Sequence, residues 1–240
     1  MLLLVTVAFL GPLIASGAIS LLFIRRGSSW GLVDQPSLRK NHVRPVALGG
    51  GVAICLAVAF MLLVVILAGY LFNQRPTWTS GLPALVGQHA AGVVGVAPLL
   101  LLMLAAGLVQ MGLGLWDDLR RLDYRVRLLV EVGLVCLLIS QGVELAFLPG
   151  WRIITVPLTI LWVVGLTNAF NFLDNMDGLS AGVGFIASCL LAVISALVGD
   201  LFLVGCYVIL SGALAGFLWF NWTPARIFMG DAGSNFLGFW

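Results

Sequence analysis

Apolar runs of about 20 residues follow one another along nearly the whole chain, and this feature constrains the fold most strongly. A transmembrane helix needs ~20 consecutive, mostly apolar residues to cross the hydrocarbon core of a bilayer. Of the 240 residues, 61% are apolar and 9% are charged, whereas soluble globular domains carry about 25% charged residues. The sequence therefore predicts an all-α fold, a polytopic transmembrane helical bundle, and excludes a soluble domain.

The apolar runs predict about eight spans. In chain order they cover residues 2–24, 46–72, 92–116, 128–140, 153–172, 179–198 and 201–220, with a last span that begins near Asn235. Because no stretch is left for a soluble domain, residues 1–240 are predicted to form a single integral-membrane domain.

Basic residues divide the loops between these spans into two sets. Loops 25–45, 117–127, 173–178 and 221–234 hold ten of the twelve Lys and Arg residues. The other side holds only Arg75 and Arg152. The positive-inside rule places the first set in the cytoplasm and the N-terminus outside. Every polar cluster that could carry chemistry then falls on the cytoplasmic face, where we predict the active site.

Four polar residues recur every third position between two apolar runs: Asn168, Asn171, Asp174 and Asp177. Ionisable side chains at the edge of a span are costly and indicate a functional site. Neighbours three apart share a helix face, but each step drifts by about 60°, so Asn168 and Asp177 would lie on opposite sides of a straight helix. If all four serve one ligand, the helix must end within the motif, and Gly178 is a candidate terminator.

Two adjacent carboxylates, Asp117 and Asp118, follow the third apolar run directly. Such a pair at a membrane surface suits a divalent cation or a proton transfer. The alternative is a solvated helix terminus whose carboxylates pair with Arg120 and Arg121.

A third acidic position lies in the last loop, where Asp231 stands between Gly230 and Gly233. Glycine lets the backbone approach a ligand closely, and the N-terminus of the following helix would favour a phosphate. The alternative is a glycine-rich connection without a ligand.

Basic side chains in two loops have both a functional and a simpler interpretation. Arg39 and Lys40 in the first loop could reach the phosphates of a nucleotide or a lipid headgroup, or could serve only to orient the chain in the membrane. Glu131 lies one helical turn after Arg127, which predicts a local ion pair.

Four separated motifs occur in the order in which they occur in the polyprenyl-phosphate N-acetylhexosamine-1-phosphate transferase family, which the chain resembles. They are Asp34-x-Pro-x-x-Arg-Lys-x-His, Asp117-Asp118, Asn168-Ala-Phe-Asn-Phe-Leu-Asp-Asn-Met-Asp-Gly-Leu and Pro224-Ala-Arg-Ile-Phe-Met-Gly-Asp-Ala-Gly-Ser. The first loop is more similar to the branch that initiates O-antigen, teichoic acid or exopolysaccharide lipid carriers. The phospho-MurNAc-pentapeptide transferases of peptidoglycan synthesis are one alternative, and an ion-coupled membrane transporter is an alternative from another class.

The resemblance implies transfer of a sugar-1-phosphate, with GlcNAc-1-phosphate favoured, from a UDP-N-acetylhexosamine to a polyprenyl phosphate such as undecaprenyl phosphate. UMP would be released, and cell-envelope polysaccharide synthesis would start at a bacterial cytoplasmic membrane. The partners would be these substrates and membrane lipid, without nucleic acid, and a homodimer is a possible assembly.

The resemblance also implies a role for each site residue. Mg²⁺, with Mn²⁺ as a possible substitute, would be held by Asn171 and Asp231. Asp117 would deprotonate or orient the lipid phosphate, and Asp118 would support it near the metal. The substrate-binding residues would be Asn168, Asp174, Asp177 and Lys40.

The chain departs from the family after the last motif. The family usually has a further cytoplasmic loop with a His-rich motif and two more spans. This chain extends nine residues past Asp231, and neither of its two histidines fits that motif. We therefore expect the sequence to be a C-terminally truncated fragment.

Overall fold

The computed structural model describes residues 2–35, 45–79, 84–145 and 150–240. In this part of the chain, eight α-helices account for most residues, which confirms the predicted all-α class. They are α1 (Leu2–Arg26), α2 (Gly50–Gln74), α3 (Ala84–Arg120), α4 (Tyr124–Ser140), α5 (Arg152–Leu173), α6 (Leu179–Leu197), α7 (Leu201–Asn221) and α8 (Gly230–Phe239).

Six of the helices are long and apolar enough to cross a membrane when the described residues are searched, namely α1, α2, α3, α5, α6 and α7. Helix α4 has 17 residues and α8 has 10, so each is shorter than the ~20 residues of a full span. The chain is thus a multi-pass membrane protein. Each of its eight helices overlaps one of the eight predicted apolar runs, but six of them, not eight, are long enough for a full span.

Three helices extend more than two residues beyond the predicted spans, and one of them is α8, which begins at Gly230 instead of about Asn235. Helix α3 runs from Ala84 to Arg120 instead of 92–116. Helix α4 begins at Tyr124 instead of 128, because the Asp123 carboxylate accepts a hydrogen bond from the Arg125 backbone N at 2.8 Å and caps the helix. Hydropathy marks only the apolar part of a helix, so a polar turn that continues the helix is missed.

Three short strands join the first loop of the chain to the last. Strand β1 (Val33–Asp34) pairs antiparallel with β2 (Val46–Leu48), and β2 pairs parallel with β3 (Ile227–Phe228). The Gly51 backbone N adds a hydrogen bond of 2.9 Å to the Met229 carbonyl. The described parts of two loops with a predicted cytoplasmic location therefore lie side by side at one end of the bundle.

Helix α8 lies in the centre of the bundle although it is short. It packs against α2, α3 and α5, and residues 232–239 are all buried. A Cβ atom on Gly51 would overlap the backbone of Gly233, and one on Gly114 would overlap the Asp231 carbonyl. Small residues allow such close backbone approach between helices in a membrane protein. The glycines of α2 and α3 thus let α8 carry Asp231 against the end of α3.

This close approach predicts that Gly114→Ala destabilises the protein. The added methyl group would meet the backbone of α8, which no rotamer change can relieve, so we expect a loss of about 1–3 kcal/mol in the free energy of unfolding. Gly112→Ala is the matched control on the same helix, because no described residue outside the adjoining turns of α3 has an atom within 4 Å of its Cβ position. Thermal denaturation in detergent measures both, and equal midpoints would contradict the packing of α8 on α3.

Candidate active site

The motif at the end of α5 delivers its polar side chains as the sequence predicted. Asn168 and Asn171 lie in the last two turns of α5, which ends at Leu173 with Asp174 as its C-cap. Asp177 follows in the connection to α6. The helix does end within the motif, but the prediction that Gly178 ends it was wrong. Gly178, at φ 73°, precedes the first residue of α6, and its backbone N donates to Asn221 Oδ1 at 3.0 Å.

Asp118 caps the first turn of α8. Its Oδ1 accepts from the Asp231 backbone N at 3.0 Å and its Oδ2 from the Ala232 backbone N at 3.2 Å. A carboxylate at this position satisfies helix N–H groups and complements the helix dipole. A Cβ on Gly230 would lie 2.7 Å from the Asp118 Oδ2, so glycine is required there. Asp118 therefore fixes the position from which Asp231 projects.

Asp117 forms an ion pair across the loop between α3 and α4. Its Oδ2 lies 3.3 Å from Arg127 Nη1, and its Oδ1 accepts from the Leu122 backbone N at 2.6 Å. The side chain is only 16% exposed. Asp117 is thus not the solvated helix terminus that was the alternative interpretation of this motif.

Asp231 and Asn171, the two predicted metal ligands, are in direct contact. Asn171 Nδ2 donates to Asp231 Oδ1 at 2.8 Å and to Ser234 Oγ at 3.1 Å. Asp231 Oδ2 also lies 3.8 Å from Arg127 Nη1. Helices α5 and α8 therefore bring an amide and a carboxylate together at the end of the bundle where Asp117 and Asp118 lie.

Arg127 is the site residue that the sequence analysis missed. The predicted pair with Glu131 is present, with Arg127 Nε 3.8 Å from Glu131 Oε1. The same guanidinium also contacts Asp117 and Asp231, and its Nη2 donates to Asn168 Oδ1 at 3.4 Å. Asn168 Nδ2 in turn donates to Glu131 Oε2 at 2.8 Å. Arg127 thus links residues of α3, α4, α5 and α8, whereas spacing along one helix indicated only its partner one turn away.

One predicted substrate-binding residue, Asp177, is not part of this cluster. Asp177 Oδ2 accepts a hydrogen bond from the Ala225 backbone N at 2.9 Å, so it holds the loop before β3. Lys40 lies outside the described residues.

The cluster concentrates negative charge around one guanidinium. Burial, reinforced by the nearby carboxylates of Asp231 and Asp118, raises the pKa of Asp174 to about 8. Burial and the Asp117 carboxylate also raise the pKa of Asp231, although Asn171 and Arg127 act in the opposite direction. Carboxylates that repel one another in this way would be stabilised by an additional cation.

The donor atoms fit a hard divalent cation such as Mg²⁺. Carboxylate and amide oxygens are the ligands that Mg²⁺ takes in proteins, usually one or two carboxylates completed by water and substrate phosphates. Within the described ranges, no three Asp, Glu, His or Cys side chains lie close enough together to hold a metal by themselves. Asn171 and Asp231 therefore suit a site that substrate phosphates complete rather than a closed protein cage.

Several curated proteins are similar to the chain. A Bacillus subtilis protein named "Probable undecaprenyl-phosphate N-acetylglucosaminyl 1-phosphate transferase" is 31% identical over 98% of this chain and 60% of its own length. The decaprenyl-phosphate N-acetylglucosaminephosphotransferase of Mycobacterium tuberculosis is 31% identical over 93% of this chain and 54% of its own length. A phospho-N-acetylmuramoyl-pentapeptide-transferase of Thermosynechococcus vestitus is 38% identical over 60% of this chain and 41% of its own.

The chain spans between about two fifths and three fifths of the length of these relatives. Residues 100–240 match the family model described as glycosyl transferase family 4. The matched part begins in α3 and contains Asp117, Asp118, Asn171, Arg127 and Asp231, the residues that meet at the end of the bundle. The chain therefore belongs to glycosyl transferase family 4, as the resemblance of its motifs to the polyprenyl-phosphate sugar-1-phosphate transferases predicted.

Proposed function

We propose that residues 1–240 form a single membrane transferase domain that moves GlcNAc-1-phosphate from UDP-GlcNAc to a polyprenyl phosphate. The observation that carries this proposal is that three helices bring Asp117, Asp118, Asn171 and Asp231 together at one end of the bundle. Arg127 contacts Asp117 and Asp231, while Asp118 and Asn171 contact Asp231. The names of the Bacillus subtilis and Mycobacterium tuberculosis relatives support a polyprenyl phosphate acceptor and an N-acetylglucosamine donor.

In this reaction, an oxygen of the polyprenyl phosphate attacks the sugar-linked phosphorus of the UDP-sugar. A new phosphorus–oxygen bond forms, and the bond from that phosphorus to the oxygen of UMP breaks. UMP leaves with the electron pair, and the product is a polyprenyl-diphosphate sugar. Bound Mg²⁺ would supply positive charge that reduces the repulsion between the two anionic substrates and stabilises the leaving phosphate.

Each residue of the cluster has a role that its contacts support. Asn171 and Asp231 would hold the cation, and Asp118 keeps Asp231 in place by capping α8. Asp117 would orient or deprotonate the acceptor phosphate, with Arg127 beside it to attract anionic groups. The residues that would position the nucleotide and sugar are Asn168, Asp174 and Lys40, whereas Asp177 would act indirectly through the loop that it holds.

The proposed location is a bacterial cytoplasmic membrane, with the cluster on the cytoplasmic side. Ten of the twelve Lys and Arg residues lie in the loops on that side, as the positive-inside rule requires. The donor UDP-sugar is a cytoplasmic nucleotide, so it would meet the acceptor phosphate at this face.

The test is UMP release by the full-length gene product purified in detergent. We expect release from UDP-GlcNAc that needs both undecaprenyl phosphate and Mg²⁺, with no ion gradient. UDP-MurNAc-pentapeptide is the second donor to test, because the Thermosynechococcus vestitus relative favours the peptidoglycan branch as the second candidate. UDP-GalNAc is the third donor.

The donors separate the candidate functions. Release from UDP-MurNAc-pentapeptide alone would move the protein to the peptidoglycan branch. Release from UDP-GalNAc alone would keep the mechanism and change the sugar. A folded protein that releases UMP from none of the three would refute the transferase function, and transport assays in proteoliposomes would then test the ion-coupled alternative.

A further inference from the structure

Three buried polar side chains lie behind the acidic cluster and have atoms without a hydrogen-bond partner among the described residues. Gln110 and Asn235 are 0% exposed and Glu131 is 1% exposed. The unpartnered atoms are Gln110 Nε2 and Oε1, Asn235 Nδ2 and Oδ1, and Glu131 Oε1. A buried polar atom without a partner is costly, so native proteins rarely contain one without bound water or a ligand.

The relative positions of these three residues can be inferred from a cluster of apolar side chains that lies one helical turn away from each of them. Ala106 of α3, Val135 of α4 and Phe239 of α8 belong to one buried hydrophobic cluster, so these faces of the three helices meet. Residues four apart share a helix face. Gln110, Glu131 and Asn235 each lie four residues from one member of this cluster, which places all three at the same junction.

On each of the three helices, the residue one turn further from the apolar cluster lies at or next to the active site. Four residues beyond Gln110 on α3 is Gly114, which contacts Asp231 of α8. Four residues before Glu131 is Arg127, and four residues before Asn235 is Asp231. One polar layer, formed by Gln110, Glu131 and Asn235, therefore lies between the apolar layer and the active site. We call these three residues the polar layer.

Glu131 connects the polar layer to the active site. Its Oε2 accepts from Asn168 Nδ2 at 2.8 Å, and Arg127 Nε lies 3.8 Å from its Oε1. The longer contact to Arg127 leaves Glu131 Oε1 with room for a stronger hydrogen-bond donor. Gln110 and Asn235 each have both a donor and an acceptor without a partner among the described residues.

We propose that the polar layer encloses internal water that hydrogen-bonds Gln110, Asn235 and Glu131, and thereby holds Arg127 and Asn168 in position for the reaction. Water suits this place because one molecule both donates and accepts, and a buried water typically makes about three hydrogen bonds. Gln110 and Asn235 are then positioning residues, which act on the active site through Glu131 and do not touch the substrates.

This proposal rests on the proposed function, and its first test is kinetic. Gln110→Met and Asn235→Leu in the full-length protein remove the hydrogen-bonding groups and keep side chains of similar size. Because groups that orient ligand-binding residues typically contribute about 10–100-fold to activity, we expect each variant to lower kcat about tenfold or more at little change in KM. Asn235→Ser, which keeps a donor and an acceptor, should recover part of the loss.

Coupling to Glu131 separates positioning from general damage. If the polar layer acts through Glu131, Gln110→Met should lower kcat much less in a Glu131→Gln background than in the native protein. Ser16→Ala is the matched control, because Ser16 Oγ is also buried and unpartnered but lies on α1, outside the junction. This control should leave kcat unchanged in both backgrounds.

Two measurements need no turnover and keep the proposal falsifiable if a variant is unstable. A cryo-EM map that resolves ordered water should show density between the three side chains. Without water, replacing unpartnered amides by apolar side chains should raise Tm and leave kcat unchanged, and that result would overturn the proposal. A protein that is inactive with every donor but contains this water would refute the proposed function instead.

Discussion

Asp231→Asn is expected to abolish UMP release almost completely. The change removes one negative charge from the pair of residues proposed to hold Mg²⁺ and leaves the size of the side chain unchanged. Removing a single group that stabilises transition-state charge typically lowers kcat by about 10²–10³-fold, and we expect at least this loss here. The same variant should bind Mn²⁺ more weakly, which electron paramagnetic resonance of titrated Mn²⁺ measures without turnover.

Asp200→Asn is the matched control for this experiment. Asp200 caps α7, and its Oδ1 accepts from the Leu203 backbone N at 3.0 Å. Asparagine is about as good an N-cap as aspartate, so this variant should keep native activity and Mn²⁺ binding. If the Asp231→Asn protein kept activity close to native, the proposal that Asp231 holds the metal would be contradicted.

Arg127→Met is expected to lower both stability and activity. It would leave Glu131, which is 1% exposed, without its cation and would leave Asp117 and Asp231 facing each other. Removing one partner of a buried ion pair typically costs about 3–5 kcal/mol, because the remaining charge is buried without compensation. We expect a lower Tm in detergent and a loss of UMP release of about 10²-fold or more.

A second substitution separates the two effects of Arg127→Met. In Arg127→Met combined with Glu131→Gln, no buried charge without a partner remains on α4, so we expect Tm to return toward the native value. Activity should stay low, because the cation beside Asp117 and Asp231 is still missing. Recovery of both Tm and UMP release would show that Arg127 has only a structural role.

Two further variants test the geometry of the guanidinium. Arg127→Lys keeps the charge, but a single ammonium group lacks the planar fork that reaches several partners at once, so we expect only partial recovery. Arg125→Met is the matched control two residues earlier on α4, where the side chain is exposed and contacts Tyr124. It should leave both Tm and UMP release unchanged.

The helices and the end of α5 could be predicted from the sequence because both depend on local properties. Runs of about 20 apolar residues mark spans directly. If Asn168, Asn171, Asp174 and Asp177 serve one ligand, their three-residue spacing requires the helix to end between them. Helix α5 does end at Leu173, although Asp177 contacts the loop before β3 instead of the cluster. The residue at which the helix ends was predicted wrongly, because α5 already ends at Leu173 and Gly178 instead precedes α6.

The site residues could be recognised from the sequence in part. Asp117, Asp118, Asn171 and Asp231 were predicted to lie on a common side from the basic loops, and to form one site from the resemblance of their motifs to the transferase family. The structure brings them together. Arg127 was predicted only as the partner of Glu131, because helix periodicity shows neighbours on the same helix and no contact with other helices. Asp177 was predicted to bind substrate, but its hydrogen bond to Ala225 depends on the path of a distant loop.

By itself, the sequence determined that the chain forms helices in a membrane and which polar residues interrupt them. Only the tertiary structure decided that α8 lies in the centre of the bundle, that Asp118 caps it and that Arg127 joins four helices. The physical reason is that lipid tails and a protein interior are equally apolar, so hydropathy cannot distinguish a helix that faces lipid from one that is buried. That choice depends on close backbone contacts such as those at Gly51 and Gly114, which form only when distant helices pack together.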